Sequence, residues 1–429
     1  MEKATKIKEL LNTMFNEALD ENNLSFYIDT LKTRSSDVSS QIERLKFDCK
    51  SNTNSNSHLL LGHKGCGKST ELNKLMSELE KENYPIHKIK CIEEIDIFNI
   101  DKNDILLLVS NALIEIARKY NINIPNSLSK KIISFFNETE KITEKINKKE
   151  AGIESGVGAD MSFFTLLNLF IKTKGEIRFG TSKRTVIREK IQNGVGEWLN
   201  NIKELKDIIF NKKQKLPILF FEDIDKIENP KDALDIFNNS ILSNLQFPVI
   251  FTFPISVAFS SDFTPIRSQY KPHFLPMIKT HDKNNNDYIE GIEIIKKIIY
   301  ARAESSLFED KAITLLIQKT GGCLRDVFEC INKASFRAYI RGSNIVETED
   351  IERALLELKS DYTRMLIIDD YKNLDDIYKT KKDIADSEKM LKYLHSQAVL
   401  EYNGEHWFDV HPLVYDFVDE RIKARNNGQ

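Results

Sequence analysis

The sequence predicts an α/β chain built around a parallel sheet. Three observations predict it. Short apolar runs alternate with amphipathic helical stretches. The glycine-rich run "LLLGHKGCGKST" lies between one such run and a helix. A later run, "ILFFEDID", passes from four apolar residues straight into acids. Strands that alternate with helices imply crossover connections, and crossovers imply parallel strands.

The elements follow in order. Residues 1–50 predict helix, with apolar positions at helical spacing in "IKELLNTMFNEAL" and "VSSQIERLKF". The polar tract 50–57 then breaks the chain. "HLLLG" predicts a buried strand and "KSTELNKLMSELEKE" a helix directly after it. "IHKIKCI" (86–92) predicts a second strand, and "DILLLVSNALIEIARKY" a strong amphipathic helix. Residues 121–215 are the least legible part, with helix predicted in "KKIISFFNETEKITEKINKKE" and again in "TVIREKIQNGVGEWLNNIKELKDIIF". Their glycines at 152, 156 and 158 follow no strand, so they predict a flexible turn, and the apolar run "MSFFTLLNLFI" predicts core. Strands return with "LPILFFEDID", "PVIFTF" and "HFLPMIK" (273–279). Helix dominates from 285 to about 360. The stretch 361–429 predicts helix, helix, hairpin, helix, with Asn403–Gly404 as the hairpin turn and Trp407, Phe408 and His411 as packing residues.

Composition narrows the class. The 429 residues suit about three domains, and 41% hydrophobic with 30% charged residues is ordinary for a soluble globular chain. A net charge of −3 gives no global drive toward nucleic acid or membrane. Five cysteines, with no paired or metal-like spacing, predict reduced thiols. The N-terminus lacks the apolar stretch of a signal peptide. The most apolar run, 247–260, is too short to span a bilayer. The expectation is a cytoplasmic protein with no membrane partner.

Gly62-x-x-x-x-Gly67-Lys68-Ser69, between a strand and a helix, is a P-loop in its required context. The backbone of Gly62, His63, Lys64, Gly65, Cys66, Gly67, Lys68, Ser69 and Thr70 predicts a phosphate cradle. The N-terminus of the following helix adds partial positive charge. Lys68 is expected on the β- and γ-phosphates of ATP, and the Ser69 hydroxyl on Mg²⁺. Cys66 inside the loop predicts sensitivity to alkylation. Mg²⁺ needs oxygen ligands, and the acids at 222, 223 and 225 supply them. The working register gives Glu222 to the Mg²⁺ side and Asp223 to the attacking water, with Asp225 capping the next helix or pairing locally. A register shifted by one, with Asp223 on Mg²⁺ and Asp225 on water, stays open.

With these motifs in order, the chain resembles the AAA+ branch of P-loop ATPases over about 55–360. It looks most like prokaryotic initiator-like and signal-transduction (STAND-type) ATPases. The resemblance implies a P-loop core (55–284, with an insertion at 121–215) and a helical lid (285–360). It also implies a winged-helix-like module (361–429) and an N-terminal helical segment (1–54). It makes Thr252 a γ-phosphate sensor and Arg267, with Lys271 as second choice, a cation reaching a neighbouring subunit's nucleotide. In "TGGCLRDVFECINKA" it makes Arg325 a nucleotide-sensing lid residue. A cation near a helix N-terminus is otherwise unfavourable by a few tenths of a kcal/mol, whereas a phosphate partner reverses that sign. Glu222, where the family usually has Asp, and the long 121–215 segment depart from the pattern.

The implied activity is Mg-dependent ATP hydrolysis by an oligomeric switch or motor working with a separate protein partner, in signalling or bacterial defence. A nucleotide-gated scaffold with little turnover and a DNA-bound initiator-like ATPase remain alternatives. Charge disfavours DNA. Residues 361–429 hold ten Lys and Arg against fourteen Asp and Glu, a balance of −4, which is the wrong sign for phosphate neutralisation.

Overall fold

A computed structural model describes residues 2–34, 36–51, 57–137, 181–238, 240–402 and 407–427. Five strands form one sheet: β1 (Ser57–Gly62), β2 (Ile86–Lys90), β3 (Ile218–Glu222), β4 (Val249–Pro254) and β5 (Lys271–Phe274). Their order is β2-β3-β4-β1-β5, and every pairing is parallel. β1, β3 and β4 are buried along their whole length. Strands covered on both faces read as continuous apolar runs, which is why "HLLLG", "ILFF" and "VIFTF" lack alternation.

The two faces carry separate cores. Leu59, Leu61, Phe221, Phe251 and Phe253 pack with the helix Lys102–Lys119 and with Trp198, Ile202 and Leu205 of the helix Val195–Lys213. The described parts of 121–215 are therefore helices that add to the sheet's core. The helix Lys102–Lys119 starts at Asp101, whose side chain accepts from the amides of Asn103 and Asp104, satisfying donors that have no intrahelical partner. On the other face, Leu60, Phe220 and Ile250 pack with Leu72, Leu75 and Leu79 of the helix Lys68–Lys81. The predicted turn at 152–158, the apolar run 161–171 and the turn Asn403–Gly404 lie outside the described residues.

Two expectations shift. β5 runs over Lys271–Phe274, not 273–279. The amide of Leu275 still reaches Leu61 O at 2.8 Å, and then Pro276, with no amide to donate, ends the ladder. The N-terminal helix also breaks early. Ile7–Thr13 and Ser36–Lys50 are helical, but most of 14–30 is not. The Leu19 amide donates to Thr70 Oγ1 (3.3 Å), and Asn73 Nδ2 donates to Leu19 O (2.7 Å). These bonds hold the backbone against the helix Lys68–Lys81 and displace an i to i−4 ladder.

Residues Ala4, Ile7, Leu10 and Met14 share a core with the helices Ile289–Arg302, Asp310–Lys319, Leu324–Ile340 and Thr348–Thr363. Beyond these come the helices Ile368–Thr380 and Ser387–His395. The antiparallel pair β6 (Val399–Tyr402) and β7 (Trp407–Val410) and the helix Pro412–Asn427 complete the chain. That is the helix, helix, hairpin, helix order expected for 361–429. Trp407, Phe408 and His411 are all buried, Phe408 within this unit, Trp407 in the sheet core shared with the helix Lys68–Lys81, and His411 against Tyr362 and Asp326. No described helix is long and apolar enough to cross a membrane.

Candidate functional site

Parallel strands present their C-terminal ends on one side of a sheet, and ligands bind in the crevice outside those ends. β1 and β3 end there in Gly62 and Glu222. A cavity of about 930 Å³ opens at this edge. Its wall includes Gly65, Gly67, Lys68, Ser69 and Thr70, all three acids of 222–225, and Arg325. The N-terminal residues 16–21 and 26–28 also line it.

The loop geometry depends on two glycines. Gly65 and Gly67 have φ of 80° and 102°, values that side chains rarely adopt. A Cβ on Gly65 would stand 2.7 Å from Arg325 Cβ and 2.9 Å from Cys323 Sγ. The P-loop thus touches the start of the helix Leu324–Ile340. Arg325, the second residue of that helix, lines the cavity and has no ion pair among the described residues. Its neighbour Asp326 is engaged elsewhere, accepting from Tyr362 Oη (2.8 Å) and lying 3.3 Å from His411 Nε2. Val327, Phe328 and Ile331 are buried on the apolar face, as their spacing predicts.

Lys68 is buried. Its Nζ donates to Gly62 O (2.8 Å) and His63 O (2.9 Å) and pairs with Asp225 Oδ2 at 2.8 Å. Burial works against its charge, but Asp225 more than compensates and its pKa is raised. Burial likewise pushes the Asp225 carboxyl up. Lys68 and a hydrogen bond from Thr252 Oγ1 (2.9 Å) outweigh that and hold it below the usual carboxylate range. Asp225 therefore links the P-loop lysine to Thr252: of the two expectations for it, it does not cap the next helix, and its pairing is with these two residues. That helix, Pro230–Phe237, is capped by Asn229.

Glu222 pairs with Lys88 at 2.8 Å, while its Oε1 is buried with no hydrogen-bond partner. Asp223 takes φ of 77°, pairs with Lys226 at 2.7 Å and accepts weakly from the Ile92 amide at 3.4 Å. Thr252 is buried behind Asp225. Arg267 is exposed on the short helix Phe263–Gln269 and is not among the residues lining this cavity. Lys271 pairs with Asp48 at 3.1 Å. Cys66 is fully buried, which removes the expected ready alkylation: its sulfur lies under Gly62, where an added Cβ would meet it at 2.8 Å.

Some features of the site carry no sequence motif. Arg34, only 1% exposed, donates to Cys66 O at 2.6 Å, to Pro276 O and to Thr30 Oγ1 at 3.0 Å. It props the loop from behind and also lines the cavity. Arg302 is buried between Phe15 and Phe328, with its guanidinium carbon 4.6 and 4.0 Å from their ring centroids, and its Nε has no partner. The C-terminal hairpin also reaches the loop. The Glu401 amide donates to His63 Nε2 (2.8 Å), Gln397 Nε2 to Lys64 O (2.7 Å) and Tyr402 Oη to Gly321 O (2.7 Å). Burial, with Lys68 adding to it, pulls His63 down to about 3, so its ring is neutral and free to accept.

The parallel order β2-β3-β4-β1-β5, a P-loop after β1, acids after β3 and a helical layer closing over the loop are now in place. The α/β fold expected from the sequence, a parallel sheet with the glycine loop at the end of its strand β1, is present. No family model matches the chain, and no curated protein matches it. Among solved structures it is similar to Cdc6p from Pyrobaculum aerophilum at 14% identity, over 95% of this chain and 99% of that one, with a TM-score of 0.40. It is similar to the Aeropyrum pernix ORC2 protein, in ADPNP–ADP complexes, at 13% identity over 95% and 99%, with a TM-score of 0.45. A third is the Thermotoga maritima RuvB Holliday junction branch migration motor, at 14% identity over 95% and 98%, with a TM-score of 0.37.

Proposed function

We propose that the chain binds ATP in this cavity and hydrolyses its β–γ phosphoanhydride. The observation that carries the reading is convergence. A positive-φ glycine loop, Lys68 and Arg325 face one cavity of about 930 Å³ together with Glu222, Asp223 and Asp225. Cations, loop amides and carboxylates lining one cavity suit a phosphate–metal pair.

Lys68 rests on Asp225. An entering γ-phosphate competes for the same ammonium, so Lys68 exchanges one anionic partner for another without losing its charge. The residues present fit Mg²⁺: Glu222 Oε1 is buried and unpartnered, and Ser69 lies across the cavity. Ser69 and Glu222 would hold the ion, which supplies charge neutralisation on the phosphates. Asp223 orients the attacking water and takes its proton, the water oxygen bonds to the γ-phosphorus, and the bond to the β–γ bridging oxygen breaks with its electron pair leaving on ADP. Arg325 steadies the charge that spreads over the γ-phosphoryl oxygens, the main catalytic demand of phosphoryl transfer, and Thr252, buried with its hydroxyl on Asp225, acts through that carboxylate. Asp225, tied to both Lys68 and Thr252, is the alternative water-side acid, as in the shifted register.

Arg267 is exposed outside its own chain's cavity, which supports a role in a neighbouring copy and hence an oligomer. We take the working units to be 1–54, 55–284, 285–360 and 361–429. The hairpin on His63 and Lys64 supports an intramolecular, protein-directed role for the last unit over DNA binding. Five buried free cysteines support a reducing, cytoplasmic setting. A separately encoded protein partner completes the proposal.

A nucleotide-gated scaffold with little turnover is the second reading. In its favour, each of the three acids is already ion-paired within the chain. Phosphate release measured across protein concentration separates the two. Turnover that rises with assembly supports the hydrolase, and ATP binding without release at any concentration supports the scaffold.

A further inference from the structure

A second cluster of ligating side chains lies at the other end of β1. His58 is the second residue of that strand, four residues before Gly62, or roughly 13 Å along an extended backbone. His273 is on edge strand β5, and Asp48 is in the last turn of the helix Ser36–Lys50. Exposures of 0, 4 and 6% bury all three. One ligand atom from each falls within 4.8 Å of the others.

The separation of the two imidazoles matches a shared ion. His58 Nδ1 and His273 Nε2 are 3.1 Å apart. Two ligands about 2.05 Å from one tetrahedral zinc stand about 3.3 Å apart. His273 also bonds to the Gln41 backbone. With its Nε2 turned to His58, that bond uses Nδ1–H and leaves the Nε2 lone pair facing the cluster, the usual outer support of a metal-bound imidazole. His58 Nε2 is buried with no partner, so this ring can bind only through its Nδ1 side. Lys271 Nζ, 3.1 Å from Asp48 Oδ2, orients the carboxylate.

We propose that Asp48, His58 and His273 form a transition-metal site, filled by Zn²⁺, that pins the helix Ser36–Lys50 to the edge of the sheet. Two nitrogens and one oxygen suit zinc or cobalt, whereas Mg²⁺ and Ca²⁺ prefer all-oxygen sets. Three protein ligands leave the fourth position to water. The site is structural and independent of the nucleotide cavity.

The test uses the full chain, stripped with chelator and kept free of nucleotide, titrated with Co²⁺ and then Zn²⁺. The expected result is one equivalent of Co²⁺ with the visible bands of a tetrahedral ion and no thiolate charge-transfer band. One equivalent of Zn²⁺ displaces it, and millimolar Mg²⁺ does not. His273→Asn and Asp48→Asn each weaken binding at least tenfold, and chelator lowers the wild-type melting temperature but not theirs. A folded wild-type chain that takes up neither ion overturns the proposal, and so does undiminished binding in both variants. The wild-type titration decides even if a variant fails to fold.

Discussion

Replacing Asp225 with Asn tests the resting partnership of Lys68. In the free chain the two side chains are 5 and 10% exposed and meet at 2.8 Å. Removing one partner of a buried pair costs about 3–5 kcal/mol, because the other charge stays buried. Two features place this case near the low end. Lys68 keeps two carbonyl acceptors, at 2.8 and 2.9 Å, and the oxygen of the introduced amide can still accept the hydrogen bond from Thr252. The expected loss is about 3 kcal/mol, read as a lower urea midpoint at neutral pH without nucleotide. In a Lys68→Ala background no buried ammonium remains, so the same change costs less than about 1 kcal/mol. Saturating Mg·ATP analogue also recovers more stability in Asp225→Asn than in wild type, because phosphate replaces the missing carboxylate. The reasoning fails if Asp225→Asn is as stable as wild type, or if its cost is unchanged when Lys68 is alanine.

Other expectations follow from the same geometry. Arg325→Ala weakens ATP binding by about 1.5–3 kcal/mol, roughly tenfold to a hundredfold, the scale of a hydrogen bond to a charged group; equilibrium titration with a fluorescent analogue measures it. Glu401, 3% exposed with an unpartnered Oε2, has its carboxyl pushed up to about 7 by burial. The folded chain holds a proton there that the unfolded chain releases above about pH 4.5, so this group costs stability as pH rises from there to about 7, and the cost is constant above. Glu401→Gln removes that cost and gains up to about 3 kcal/mol at pH 8 and nothing at pH 4, as urea unfolding at the two pH values reads out. Thiol labelling of the native chain is slow at all five cysteines and fast in denaturant, and one rapidly labelled native thiol mapping to Cys66 contradicts its burial.

What the sequence disclosed was local. The P-loop needs a strand, a glycine run and a helix in immediate succession, so one short stretch carries both its structure and its chemistry. The acids after β3 were legible because a carboxylate cluster ending a buried run needs a cation. The parallel sheet was legible because its strands are buried on both faces and stay apolar throughout. What was missed depends on distant partners. Residues 14–30 keep an amphipathic pattern, yet Thr70 and Asn73 capture their backbone and turn them into a wall of the cavity. Arg34 sits in "TLKTRSS", which resembles nothing, and its role rests on carbonyls at Cys66 and Pro276. Asp225 read as a helix cap because no local pattern shows that Thr252, 27 residues on, waits beside it. The bonds from Gln397 and Glu401 to the P-loop span more than 330 residues.

The central claim is that the cavity at the end of β1 and β3 both binds ATP and breaks it, with Asp223 on the water side. Paired measurements of ATP binding and phosphate release on wild type, Lys68→Ala, Asp223→Asn and Asp225→Asn test it most directly. The account predicts that wild type binds and releases phosphate, that Lys68→Ala loses tight binding, and that Asp223→Asn binds ATP but releases no phosphate. Wild-type turnover in Asp223→Asn, with turnover abolished in Asp225→Asn, would contradict the assignment and move the water to Asp225.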